Sequence, residues 1–455
     1  VLGKKIALDK GNIAIVGAGL VGSLLSIYLV KRGYSVNIFE GRSDMRKDDI
    51  QAGRSINLAL SDRGRKALRQ VGLEEKILSI SVPVYKRLMH SESNELTEQF
   101  YGKKNQAIYS VPRRDLNCLL MDLAEDEGVK INFSKKCRDI DFNKTILNFD
   151  NNESWHFDFV FAADGAGSII RKKMNEFSDV NVFSEFIDCG YKEMTIPYVN
   201  PGQWQIASDA LHIWPRGSYM VMALPNLDGT FTCTLFFPMK GKNSFEELKT
   251  KEDVDVFFKK NCPDLVPLIP NISEQYFNNP VSSLGIIRCY PWKKNNFILI
   301  GDSCHATVPF YGQGMNCGFE DCNLIADVFD NTFNTANFSN AIEEFLISRK
   351  VNTDAMQNLS LHNFIVMRDK TGDKNFLLQK KIEALFAAKY PSKWVPLYSM
   401  VTFSHVDYNQ ALQIGRKQEK IMQKIMQLDN IDSNWDSNEV QEKILSFLSF
   451  NDSIE

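Results

Sequence analysis

The stretch Asn12-Ile13-Ala14-Ile15-Val16-Gly17-Ala18-Gly19-Leu20-Val21-Gly22 decides the fold. Asn12 to Val16 alternate and are β-branched, so they predict a buried strand. Leu20 to Lys31 carry helical periodicity, and Ser35 to Phe39 predict a second strand that ends at Glu40. Strand, glycine turn, helix and strand in this order make a βαβ unit. Gly17 permits the tight turn, Gly19 lets the backbone approach a pyrophosphate, and Gly22 permits close helix–strand packing. The helix N-terminus at Leu20 then faces the phosphates, and Glu40, with Arg42 beside it, is placed to meet a ribose. The expectation is a dinucleotide site.

Outward from this unit, the chain has 455 residues, too many for one compact core, so two or three domains are expected. The composition is 44% hydrophobic and 24% charged with a net charge of −3, an ordinary globular balance. It offers no electrostatic attraction to nucleic acid or to an anionic membrane. The nine cysteines are scattered, odd in number and form no C-x-x-C, which predicts buried reduced thiols and no metal site. Lys4 and Lys5 before the apolar run Ile13 to Val30 imitate a signal segment, but the glycines and the strand resuming at Tyr34 argue against that reading.

The overall class is α/β, α+β when the whole chain is counted. A Rossmann-type nucleotide domain is expected over 1–80, 105–180 and 289–330. Short β-rich runs such as Gly190–Ile196, Ala210–Trp214, Tyr219–Leu224 and Thr230–Phe236 predict a mostly antiparallel substrate domain over 81–104 and 181–288. Amphipathic segments predict a helical C-terminal domain, 331–455, covering the site.

Two further segments choose the nucleotide. Ala163-Asp164-Gly165-Ala166-Gly167-Ser168 follows a predicted strand, and Gly301-Asp302-Ser303 follows the strand Asn296–Ile300. With the first glycine motif, this order resembles the flavoprotein aromatic hydroxylases (class A monooxygenases). The resemblance implies FAD, with Asp302 on the ribityl chain and Asp164 near the pyrophosphate and NADPH. It also implies that Arg113 of Arg113-x-x-Leu116-Asn117 pairs with a phosphate. A second glycine motif is missing, so NADPH is expected to bind transiently. No catalytic triad or metal is needed, because the flavin carries the oxygen, through a C4a-hydroperoxide in this family, and the protein excludes water.

Within the family, the closest resemblance is to the branch that hydroxylates L-kynurenine to 3-hydroxy-L-kynurenine with NADPH and O2. It rests on Gly53–Ser61, Arg87-Leu88-Met89-His90, Pro309–Asp321, His362-Asn363-Phe364 with Met367-Arg368-Asp369, and Pro396–Phe403. It implies that Arg87, Tyr101, Asn363 and Tyr398 grip the substrate carboxylate. Phe310, Tyr311 and Gln313 would lie on the substrate side of the flavin, and Ala59, Met315 and Asn316 would touch it. A fork-shaped cation with neutral donors suits a buried carboxylate.

The sequence departs from the pattern at Val366, where the family often has Glu, and at Tyr311, where Phe or His is more usual. These departures keep open another aromatic acid or phenol as substrate. A non-hydroxylating FAD reductase or oxidase and a non-catalytic FAD module are disfavoured by the retained Pro309–Asn316 loop. The implied protein is cytoplasmic and soluble, of the bacterial type, with a removed C-terminal anchor and a homodimer both left open.

Overall fold

The structure, a computed structural model, describes residues 10–47, 57–102, 105–150, 152–177, 180–332, 335–370 and 373–451. Lys4, Lys5 and the Gly53–Ile56 part of one family segment fall outside the described residues.

The strand Asn12–Val16, the helix Leu20–Val30 and the strand Ser35–Phe39 form as expected. They lie in a six-stranded sheet ordered Lys293–Lys294, Phe297–Leu299, Phe159–Ala162, Asn12–Val16, Ser35–Phe39, Lys130–Asn132. All neighbours are parallel except the short edge strand Lys293–Lys294. Ile13 to Val16 are all buried, the unbroken apolar run of a parallel strand covered on both faces. The ends of Asn12–Val16, Phe159–Ala162 and Phe297–Leu299 therefore lie side by side, and each leads into one of the three glycine-bearing motifs.

The second layer is a seven-stranded sheet ordered Ser282–Tyr290, Asn181–Ile196, Phe231–Phe237, Met220–Pro225, Ala210–Pro215, Lys86–His90, Leu96–Phe100. Its one parallel joint sets Leu211 opposite Arg87 and His212 opposite Leu88. Val82–Val84, which the sequence reading joins to this sheet, instead edges a three-stranded sheet with Ile108–Pro112 and Asn57–Leu60. Pro83, with no N–H to donate, is tolerated at such an edge.

The sequence reading also passes over two helices in the β-rich region, Lys251–Asn261 and Ile272–Asn278. The signal for the first was present: Thr250 accepts from the Asp253 N–H, and Asp253 accepts in return from the Thr250 N–H. Beyond Met315 the chain is helical as expected. The long helix Phe338–Ile365 packs on Gly314–Thr332, on the turn Pro309–Tyr311 and on Tyr408–Ile425. All nine cysteines are free, eight of them buried. Among the described residues, no helix is long and apolar enough to cross a membrane.

Candidate active site

The three motifs and the large sheet enclose one cavity of about 610 Å³. Gly17, Gly19, Leu20, Glu40, Arg42, Arg113, Asp164 and Asp302 line it beside the parallel sheet. Arg87, Tyr101, Tyr398, Phe310 and Tyr311 line it beside the large sheet, with Ala59 and Met315 also on the wall.

The glycine turn is built by close contact. Gly17 has φ +108°, and a Cβ there would lie 2.5 Å from the carbonyl oxygen of Ala163. A Cβ on Gly22 would lie 2.1 Å from the carbonyl oxygen of Gly17. Gly22 is thus a packing residue and does not line the cavity. Gly19 is different, because a Cβ there would meet nothing within 4 Å and would fill only the cavity. This is the cradle a pyrophosphate needs, and the helix Leu20–Val30 adds no acidic residue in its first turn.

The Ala18 N–H donates to Glu40 Oε2 at 3.0 Å, and the Arg42 Nε donates to Oε1 at 2.9 Å. Burial pushes the Glu40 carboxyl up, but these hydrogen bonds outweigh it and hold it below the usual carboxylate range. Glu40 is therefore ionised and can accept hydrogen bonds. Asn117, of the R-x-x-L-N pattern, donates to the Ala18 carbonyl at 3.0 Å, a role the sequence reading did not foresee. Asp164 caps the following helix by accepting from Ile169 N–H at 2.8 Å, and its Oδ1 is buried without a partner. Burial raises its pKa.

At the other end, the Arg87 guanidinium lies 4.5 Å from the Tyr398 ring centre and 5.2 Å from that of Tyr101. The two tyrosine rings stack at 5.2 Å, and Tyr311 stacks on Tyr398 at 5.6 Å. Arg87 Nε and the Tyr101 hydroxyl are buried without hydrogen-bond partners. Burial works against the Arg87 cation, but the oxygens of Tyr398 and Tyr101 outweigh it, so its pKa is raised. Burial raises the pKa of the Tyr101 and Tyr311 hydroxyls too, so both remain donors. A cation and two neutral donors converge here on a space with unmet hydrogen-bonding capacity.

Gln313, Asn316 and Asn363 do not line the cavity; each clamps its wall. Asn316 donates to the carbonyls of Ala59 (2.8 Å) and Gly312 (2.7 Å) and accepts from the Ser61 N–H. Gln313 accepts from the Tyr408 hydroxyl at 3.0 Å. Asn363 donates to the Phe310 carbonyl at 2.6 Å. The Pro309–Gly314 loop is therefore held from both neighbouring segments. Val366 is not on the wall, whereas Met367 is. The sequence reading also missed the apolar lining Leu211, Met222, Leu224 and Phe236. Period-two alternation along those strands was the available signal.

Behind the loop runs a chain of buried charges. Arg63 pairs with Glu320 (2.8 Å), and Arg349 pairs with Glu320 (2.7 Å) and Asp321 (2.5 Å). Asp321 also contacts His305 at 2.6 Å and accepts from the Gly301 N–H at 3.2 Å. Arg63 reaches the carbonyls of Val401 and Val406 in the C-terminal region. Burial pushes Asp321 up, but His305 and Arg349 outweigh it and hold it at about 2. The network ties the Gly301–Asp302 turn to the C-terminal helices.

Residues 10–336 match a family model described as an FAD binding domain. The chain is 45% identical over 443 residues to a kynurenine 3-monooxygenase of Christiangramia forsetii, covering 96% of this chain and 98% of that one. It is 46% identical to one of Flavobacterium johnsoniae with the same coverage. Among solved structures, the tetrameric form of 2-methyl-3-hydroxypyridine-5-carboxylic acid oxygenase superposes with TM-score 0.65. That match is at 18% identity, over 81% of this chain and 95% of the other, and shows the shared fold.

Proposed function

The chain belongs to the kynurenine 3-monooxygenase family of FAD-binding flavoproteins, and from that premise we propose how its residues divide the work. The protein is an FAD-dependent monooxygenase that hydroxylates L-kynurenine. The observation that carries the substrate assignment is the Arg87–Tyr101–Tyr398 cluster on the cavity wall beside the large sheet.

FAD, when bound, supplies the redox chemistry that activates oxygen. Gly19 leaves room for the pyrophosphate, Glu40 accepts from the adenosine ribose, Arg113 meets a phosphate and Asp302 meets the ribityl chain. Arg87 forks onto the substrate carboxylate, and the Tyr101 and Tyr398 hydroxyls donate to the same group. Leu211, Met222, Leu224, Phe236, Phe310 and Met367 clasp the aromatic ring and keep water out. Asn316, Gln313 and Asn363 act one layer back and hold the Pro309–Gly314 loop in one conformation. NADPH is the reductant in this reading, supported by the family resemblance and by the single glycine motif.

The test is equilibrium titration of the FAD-loaded protein with L-kynurenine, followed by flavin absorbance and fluorescence. Saturable spectral change that is lost in Arg87→Ala supports the reading. An unchanged titration in that variant overturns the assignment of Arg87.

A further inference from the structure

Arg87 and Thr234 stand on the same face of the seven-stranded sheet. Thr234 pairs with Met222, Met222 with Ile213, and Ile213 with Met89, two residues on from Arg87. Directly opposed residues, and residues two apart on one strand, point to the same side. Three strand spacings, about 14 Å, separate the strands of Arg87 and Thr234. Leu211, Met222 and Leu224 line the cavity from the strands between. The sheet wall is therefore cationic at one edge, apolar in the middle and hydroxylic at the other.

Thr234 is 7% exposed and lines the cavity, and its hydroxyl has no hydrogen-bond partner among the described residues. Its polar neighbours are accounted for. Thr232 donates to Asn57 Oδ1 at 2.9 Å and accepts from Asn226 Nδ2 at 3.2 Å. Glu193, opposite Thr234 on the next strand, is off the cavity wall. Tyr311 stacks on Tyr398 and belongs with the Arg87 edge. The Thr307 hydroxyl, buried without a partner, lies off the sheet on the segment that follows Asp302.

The substrate poses a problem that this hydroxyl answers. The amino group on C2 of the kynurenine ring activates C3, beside it, and C5, across from it. A half-turn of the ring about its bond to the side chain exchanges these two carbons. An apolar clasp gives no hydrogen bond that tells the two orientations apart, whereas the amino group is an N–H donor that loses free energy when buried unpaired. A threonine oxygen has two lone pairs to accept it.

We propose that the Thr234 hydroxyl accepts a hydrogen bond from the ring amino group of L-kynurenine and so selects C3 over C5 for hydroxylation. The proposal rests on the substrate reading given above, in which Arg87 holds the carboxylate at the opposite edge of the same wall. No bond is made or broken at Thr234; it fixes which edge of the ring is presented to the oxygen.

The test titrates the FAD-loaded protein, followed by flavin absorbance, with L-kynurenine and with 2-amino-4-oxo-4-phenylbutanoate, which lacks the ring amino group. The wild type is expected to bind L-kynurenine about fivefold more tightly than the analogue, the value of one neutral hydrogen bond. Thr234→Val should lose that preference while binding the analogue as the wild type does, which also reports an intact fold. Thr234→Ser, which keeps the hydroxyl, should retain it. Product NMR should show the 3-hydroxy isomer alone from the wild type and Thr234→Ser, and added 5-hydroxy isomer from Thr234→Val. A wild type that does not distinguish the two compounds overturns the proposal without any variant. So does a Thr234→Val that keeps the preference and makes only the 3-hydroxy isomer. If the wild type binds neither compound, the substrate reading fails and the proposal falls with it.

Discussion

The guanidinium of Arg87 lies 4.5 Å from the ring centre of Tyr398, joining the large sheet to the C-terminal helices on the cavity wall. The cation rests on aromatic faces with its Nε unpaired, an arrangement that a carboxylate can displace and improve. Arg87→Ala should raise the KM for L-kynurenine by roughly a hundredfold, the loss of a buried charge-assisted pair, with FAD content unchanged. Arg87→Lys should recover only part of this, since a point charge cannot form the fork. Steady-state kinetics beside flavin absorbance decides it.

Gly19 and Gly22 should fail in different ways. Gly19→Val meets open space in the protein and so should fold, but its side chain occupies the pyrophosphate cradle and should abolish FAD retention. Gly22→Ala collides with a backbone oxygen and should lower the melting temperature even without FAD. Circular dichroism melts and FAD titration separate the two.

Asp321→Asn should destabilise the protein by about 3 kcal/mol, because it leaves Arg349 and His305 buried with a weakened partner. The wild-type contribution has a definite pH sign. The folded Asp321 carboxyl is held at about 2, below its unfolded value, so its stabilisation is complete above the unfolded pKa and disappears as pH falls through the folded one. Urea titrations at neutral and acidic pH should show the two proteins converging in acid.

Val366→Glu should change the KM for L-kynurenine by less than about threefold, since Val366 is half-buried and off the cavity wall. Met367→Ala, on the wall, should weaken substrate binding and let more of the O2 consumed leave as hydrogen peroxide. Peroxide yield per NADPH consumed measures this.

Much of this was legible in the chain. The βαβ unit was readable because Gly17, Gly19 and Gly22 each answer a steric demand that can be derived from spacing alone. Val82–Val84 was misplaced because a three-residue strand has too little pattern to name its neighbour. Asn363, Gln313 and Asn316 were read as contact residues, since sequence shows which residues belong near a loop but not whether they face the cavity or brace it. The charge chain from Arg63 to His305 was invisible, because its members lie up to 286 positions apart from Arg63 to Arg349 (349 − 63) and meet only in the folded protein.

The most direct test of the central claim is aerobic NADPH oxidation by the FAD-loaded protein, with and without L-kynurenine, and mass spectrometry of the product. The account predicts kynurenine-stimulated oxidation and a product heavier by one oxygen atom. NADPH oxidation that kynurenine does not stimulate, or stimulated oxidation that yields only hydrogen peroxide, would contradict it.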